Sequence, residues 1–372
     1  MVRIKSMLCI LLMGLGANAA GQELMDSKSS QLTHTLYTKL AAQQGKKIMI
    51  GHQDATAYGI AWRNEPCQSD IKKVTGQFPA VYGWDMGHLE LGDSLNIDHI
   101  PFAAIRQMMI DGYNRGGVNT VSWHLKNPFT GGSSWDVSSD KVVRSILPGG
   151  EKHELYKTWL DRLAHFFKSV KNVNGEPIPI LFRPFHEHSG SWFWWGRNLC
   201  TPEDYKALWH FTVSYLKDVQ NVHHLIYVYS PDFVSTEKDY FERFPGNEYV
   251  DILGLDLYHR GGGETAQKYI SDVSRILKFL AGYAEKHGKL YTFSETGAEG
   301  IPMKDWFTKV LYPAISSYKP LYVLLWRNAY ETPGHFYAPY PGHPAEPNFK
   351  EFSAYPDILL EKKLPALYNP QP

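Results

Sequence analysis

The chain has 372 residues, enough for two or three ordinary domains or for one large α/β barrel with insertions. Its 38 basic and 38 acidic residues cancel, which removes the electrostatic case for nucleic acid or an anionic membrane surface as a partner. Aromatic residues make up 14% of the chain, with 11 Trp and 23 Tyr; this suits stacking on a ligand with flat apolar faces, and filling a large core is the plainer alternative.

At the N-terminus, Arg3 and Lys5 precede an apolar stretch from Met7 to Leu15 and then Ala17-Asn18-Ala19. A positive flank, a short apolar run and small residues at −3 and −1 form the pattern of a secretory signal peptide, so residues 1–20 are predicted to be removed on export. The apolar run is too short for a permanent bilayer span, and Cys9 lacks the small residues that precede a lipidated cysteine. The expectation is an exported chain without a membrane anchor, periplasmic or secreted, with residues 21–372 as one domain. Cys67 and Cys200 remain after export, and the sequence leaves open whether they pair or stay as free thiols.

Along the rest of the chain, short apolar runs alternate with longer amphipathic ones, and no short-period repeat appears. Strands are predicted at residues 47–51 and 79–84, then a helix from Pro101 to Arg115 with Ile105, Met108 and Met109 on one face. A third strand at 118–123 is followed by a long Gly- and Ser-rich loop from Asn127 to Gly150. Next come a helix from Glu154 to Val170, with Leu155, Trp159, Leu163 and Phe166 inward, and a fourth strand at 178–182. Thr201-Pro202-Glu203-Asp204 starts a helix running to Val219, with Thr as cap and Pro in the first turn. Strands at 224–229 and 251–257, a helix from Thr265 to Lys286, a strand at 290–293, a helix from Asp305 to Ser317 and a strand at 321–326 complete the series. A loop rich in Pro, Gly, Tyr and His follows, from Tyr330 to Pro347.

Eight apolar strands alternating with helices predict a parallel sheet covered on its outer face and, when closed, a (β/α)8 TIM barrel. An open doubly wound sheet is the alternative, but no glycine-rich phosphate loop follows the first strand. In a barrel the site lies at the C-terminal ends of the strands. Those ends read His52-Gln53-Asp54, Asp85 to His88, Trp123-His124, Arg183 to Glu187, Tyr229 to Asp232, Asp256 to Tyr258, Ser294 to Gly297, and Trp326 to Asn328. The fourth is the densest: Arg183 to Gly196 holds a guanidinium, two imidazoles, an acid and three tryptophans.

Glu187 after strand four and Glu295 after strand seven come from roughly opposite walls, so their carboxyl groups can face across a sugar. Carboxyls about 5 Å apart act by double displacement with retention, whereas a gap of roughly 6.5–9.5 Å admits a water and inverts. One acid must be protonated while the other is ionised. Glu187, among His and Trp, suits the protonated role; Arg183 and Tyr258 can hold Glu295 ionised.

Arg183 to Gly196 closely resembles the acid/base motif of glycoside hydrolase family 26, the β-mannanases. Ser294-Glu295-Thr296-Gly297 is similar to that family's nucleophile motif, and Gly254 to Tyr258 to the segment whose Tyr contacts the nucleophile. The resemblance runs from Gly51 to Trp326. It implies a (β/α)8 barrel, no cofactor and no metal, and a β-mannan, galactomannan or manno-oligosaccharide substrate cut by retention. It further implies Glu187 as general acid/base, Glu295 as nucleophile, and His124, His186, Trp192, Tyr258 and Trp326 as sugar-binding residues. Arg183, Asp85 and His88 are added as candidate substrate contacts, the last two at distal subsites. Trp194 and Trp195 are expected to brace the loop.

A related retaining β-glycanase acting on mixed-linkage glucan or β-1,3-xylan is the alternative within the family. A metal-dependent barrel hydrolase using His186-Glu187-His188 is disfavoured, because alternate residues at a strand end point in opposite directions. A non-catalytic sugar-binding barrel would need the aromatics but not both acids. The long loops 127–150 and 330–347 favour a restricted cleft that releases mannobiose over an open one that cuts internally.

Overall fold

A computed structural model describes residues 23–369; the expected leader, residues 1–20, lies outside them. The strands are β1 (Ile48–Gln53), β2 (Val81–Asp85), β3 (Val118–Ser122), β4 (Ile180–Arg183), β5 (Leu225–Tyr229), β6 (Ile252–Leu253), β7 (Leu290–Tyr291 and Phe293–Thr296) and β8 (Tyr322–Leu325). Each pairs in parallel with the next in chain order, and β8 pairs with β1. β7 closes the ring: Leu290 pairs with Ile252 on β6, and Phe293 with Val323 on β8. The result is the expected (β/α)8 barrel. β6 is shorter than its apolar run, because from Gly254 onward it faces an irregular stretch of β7 described below.

Two-residue periodicity decides what fills the barrel. Met49, Val81, Val118, Leu181, Ile226, Ile252, Leu290 and Tyr322 share one buried cluster. Their neighbours Ile50, Tyr82, Phe182, Tyr227, Leu253, Tyr291 and Val323 join the other, beneath the helices. Helix α1 (Gln31–Gln43), capped by Ser30 Oγ accepting from Thr33 N–H, supplies Leu36, Tyr37 and Leu40 to the inner cluster and so packs with the strand starts. Each such fully buried large apolar side chain contributes about 1.5–3 kcal/mol. The lumen has no spare room at Gly51, where a Cβ would stand 2.7 Å from Leu324 Cδ1 and 2.9 Å from Val81 Cβ.

The outer layer includes α2 (Phe102–Asn114), α3 (His153–Ser169), α4 (Pro202–Ser214) and α5 (Gly263–His287). α3 buries Tyr156, Trp159, Leu160, Leu163 and Phe167, but Leu155 is 39% exposed, contrary to expectation. Leu155 stands roughly 100° from the centre of that stripe, on its flank. α4 begins with a capping box: Thr201 Oγ1 accepts from Asp204 N–H at 3.1 Å, and Thr201 N–H bonds back to the Asp204 carboxylate. The predicted helix 305–317 is instead a π-turn (Phe307–Leu311) running into a short helix, α6 (Tyr312–Ile315). Pro313 explains this, since it has no N–H and crowds the preceding turn.

Helix α1, a small hairpin (Tyr58–Gly59 with Trp62–Arg63), a final helix α7 (Glu346–Ala354) beginning inside the predicted loop, and β9 (Ile358–Leu359) beside β1 were not anticipated. Cys67 is exposed and Cys200 half-buried, and they are not bonded to each other. Among the described residues no helix is long and apolar enough to cross a membrane.

Candidate active site

The parity that fills the lumen with apolar side chains carries on past the strand ends with polar ones. Counting by twos from Val81, Val118, Leu181, Ile226, Ile252 and Tyr322 gives Asp85, His124, Arg183, Ser230, Asp256 and Trp326. β7 breaks the count: from Leu290 the inward residues are Thr292 and Ser294, so Glu295 should point out. A bulge corrects this. The N–H groups of Ser294 and Glu295 both donate to Leu255 O, at 2.8 and 3.3 Å, and the register with β8 shifts between Phe293 and Thr296. Two residues then oppose one, and the bulge re-aims the carboxylate into the barrel mouth.

Glu295 is 3% exposed and bonded at both oxygens. Tyr258 Oη donates to Oε2 at 2.7 Å, and the Arg183 guanidinium donates to Oε1. Arg183, 1% exposed, also donates to Asp256 Oδ2 at 2.6 Å, and Ser230 Oγ donates to the same oxygen at 3.1 Å. Burial alone would disfavour the Arg183 charge, but Asp256 and Glu295 outweigh it and hold the guanidinium firmly protonated.

Glu187 is positioned differently. It lies four residues beyond β4, in a turn where Phe185 (φ 50°) and Glu187 (φ 54°) are left-handed. Such conformations cost about 1–3 kcal/mol each and persist only where the surroundings impose them. Here Glu187 N–H donates to Ser230 O at 2.8 Å, Tyr205 Oη to Phe185 O at 3.0 Å, and Trp195 Nε1 to His186 O at 2.8 Å. Trp194 Nε1 donates to Leu125 O at 3.3 Å, and both indoles are fully buried, as expected of braces. Trp192 is 38% exposed, and its Nε1 donates to Glu187 Oε2 at 2.7 Å. Burial first, then the charges of Glu295, Asp256 and Asp232, push the Glu187 carboxyl well above the usual range; the Trp192 bond opposes this only in part. One oxygen each of Glu187, Asp256 and Glu295 lie within 4.8 Å of one another.

A cavity of about 550 Å³ brings together His124, His186, Glu187, Trp192, Tyr258, Glu295 and Trp326, as the sequence suggested. Three other candidates take different places. Asp85 is buried beneath His124, not at a distal subsite: its Oδ2 meets His124 Nδ1 and Ser122 Oγ, both at 2.7 Å, and its Oδ1 accepts from Gly87 N–H at 2.8 Å. Burial would raise the Asp85 pKa, but the His124 charge and these hydrogen bonds win and lower it to about 2. Asp85 therefore fixes the imidazole and leaves Nε2 for the cavity. Arg183 lies under the floor, bonded to the two carboxylates, and is not part of the lining. His88, at φ 78°, is also outside it.

The cavity also gains residues to which the sequence reading gave no role. Trp135, 48% exposed, stacks on His124 (centroids 5.2 Å apart, planes at 14°), and Phe193, Asp232, Arg260 and Tyr337 complete much of the wall. Trp135 and Tyr337 come from the two long loops, where a Trp in a Gly- and Ser-rich stretch was the available signal. The three clustered carboxylates invite a cation, but the Arg183 guanidinium already bonds two of them, and the rings of His186 and His188 are not in that group. His188 is instead packed between Tyr205 and Tyr229, at 4.4 and 4.7 Å.

The model of glycosyl hydrolase family 26 matches residues 25–308. The chain is 31% identical over 367 residues to a mannan endo-1,4-β-mannosidase of Bifidobacterium adolescentis, covering 93% of this chain and 36% of that protein. It is 32% identical over 241 residues to a mannan endo-1,4-β-mannosidase of Bacillus subtilis, covering 63% of this chain and 62% of that one, so it spans less than two thirds of either relative. Among solved structures, a GH26 β-mannanase from Bacteroides ovatus is 42% identical with a TM-score of 0.89, covering 92% of this chain and 98% of that one. An endo-β-1,4-mannanase of Cellulomonas fimi is 32% identical with a TM-score of 0.85, covering 93% of this chain and 79% of that one. With the barrel, the facing glutamates and a family match across most of its length, the chain belongs to glycosyl hydrolase family 26.

Proposed function

We propose that this chain is a β-1,4-mannanase that hydrolyses mannan, galactomannan or manno-oligosaccharides by double displacement with retention. Glu187 is the general acid/base and Glu295 the nucleophile. The observation that carries the proposal is two carboxylates from opposite walls, with oxygens within 4.8 Å, in contrasting environments. An approach this close supports the retaining arrangement over the wider gap of an inverting pair.

In the first step the Glu187 carboxylic acid gives its proton to the glycosidic oxygen while the Glu295 carboxylate attacks the anomeric carbon. The C–O bond to the leaving sugar breaks and a glycosyl ester forms. In the second, Glu187, now a carboxylate, takes a proton from water as its oxygen attacks the same carbon and the ester bond breaks. Trp192 bonds Oε2 of Glu187, which leaves Oε1 to carry the proton. Tyr258 and Arg183 hold the two oxygens of Glu295 in position for attack. Trp326 offers its face to the sugar, and His124 Nε2 and His186 lie beside it. The names of the relatives support mannan over mixed-linkage glucan or β-1,3-xylan. Trp135 and Tyr337, reaching in from the two long loops, support a restricted cleft releasing mannobiose. The leader pattern supports export to the periplasm or medium of residues 21–372 as one catalytic domain.

Mannohexaose digested in an NMR tube tests this. The expected result is β-anomeric product before mutarotation, with mannobiose dominant early. α-Anomer first would overturn retention, a random early ladder would overturn the restricted cleft, and inert mannan beside cleaved mixed-linkage glucan or β-1,3-xylan would overturn the substrate.

A further inference from the structure

His124 lines the catalytic cavity, yet it stands two residues beyond the end of β3, where the sheet ladder no longer holds the chain. Two buried acids from the loop after β2 hold it there. Asp85 takes the imidazole Nδ1 and, at 3.3 Å, the His124 N–H. Glu90 takes the residues on either side: its Oε2 accepts from Trp123 Nε1 at 3.0 Å, and its Oε1 from Lys126 N–H at 2.7 Å.

Glu90 is fully buried and is not part of the cavity lining, so it does not touch the sugar itself. It sits in a tight turn (Leu89–Leu91), and the Arg162 guanidinium of α3 fixes that turn by donating to the Glu90 backbone oxygen rather than to its carboxylate. Trp123 is fixed from the same helix, lying nearly parallel to Tyr156 with centroids 6.5 Å apart and planes at 14°. The span from Trp123 to Lys126 is thus pinned at both ends by one side chain whose oxygens both accept. A carboxylate suits this, whereas an amide in its place would set an N–H against one of the two N–H donors.

We propose that Glu90 is a positioning residue for the glycosidic reaction: its carboxylate, bonded on both flanks of His124, sets the place at which the imidazole Nε2 meets the sugar. This rests on the β-mannanase reading above. The test is a double-mutant cycle on kcat/KM for mannopentaose with the parent, Glu90→Gln, His124→Ala and the double variant, each shown to be folded by urea unfolding. Glu90→Gln should lower kcat/KM about tenfold in the parent, the scale of one hydrogen bond lost at a charged acceptor. In His124→Ala the same substitution should change kcat/KM less than about twofold, because the side chain it positions is gone. Equal losses in both backgrounds would assign Glu90 to general folding, and no loss in either would leave it idle; both would overturn the proposal. If Glu90→Gln does not fold, Trp123→Phe removes one of the two donors and leaves the Lys126 bond, with an expected loss of about threefold that should likewise vanish in His124→Ala. Equal losses there would also overturn it. A parent that does not cleave mannopentaose would overturn the mannanase reading and the proposal with it.

Discussion

The two walls of the cavity place their glutamates by opposite means. Glu295 is part of the barrel sheet, turned inward by a bulge and bonded at both oxygens by Tyr258 and Arg183. Glu187 stands outside the sheet on a left-handed turn, with one indole N–H as its side-chain partner and mostly aromatic surroundings. Two donors, one of them cationic, fix the Glu295 carboxyl in place, while the Glu187 carboxyl, deprived of water and facing other acids, is stabilised when neutral. Two identical side chains thus stand in contrasting environments, and the proposed double displacement draws on that contrast.

The largest effect expected of breaking this contrast is at Glu295. Glu295→Ala should lower kcat by on the order of 10⁴-fold or more, while calorimetry shows oligosaccharide binding largely intact. Hydrolysis near the parent rate would remove Glu295 from the nucleophile role. Glu187→Gln should cost about 10²–10⁴-fold on natural substrates and far less on an aryl glycoside whose leaving group needs no proton. The sign of the pH effect follows from the raised Glu187 pKa: the acid is competent below that value, so parent activity falls as pH rises through it. Glu187→Gln should lose this alkaline limb in kcat/KM, and its persistence would assign the limb elsewhere.

Arg183 sharpens the comparison because it starts on β4 and ends on Glu295. Arg183→Met would leave Glu295 and Asp256 buried without their cation, with an expected loss of about 3–5 kcal/mol in urea unfolding. A loss under 1 kcal/mol would mean that the pair contributes little to folding. The smallest effect is at the β4 brace. Trp195→Phe removes the bond to His186 O, which should cost about 1 kcal/mol and, through the turn it holds, lower kcat more than it raises KM. A change in KM alone would assign Trp195 to binding.

Much of this was legible before folding. Apolar runs at regular intervals located every barrel strand to within a few residues, because a strand covered on both faces has little choice but to be apolar. The acids were visible because a charged residue directly after such a run is out of place in a core. The role of Asp85 was hidden, since its partner His124 lies 39 residues away and only the pairing of β2 with β3 brings them together. Helix α1 was missed because buried Thr33 and Thr35 interrupt its apolar stripe. Trp135 could be seen as a Trp in a loop, but its stacking on His124 depends on how that loop returns over the barrel.

The sequence by itself determined the alternation of strands and helices and the acids that end strands four and seven, since both follow from local pattern and chain order. Tertiary structure decided which way those acids point and what surrounds them. Strand parity aims Glu295 outward, and only the mismatch between β6 and β7, two N–H groups sharing Leu255 O, turns it to face Glu187. A bulge is a property of two strands in register, and one strand's sequence does not contain it.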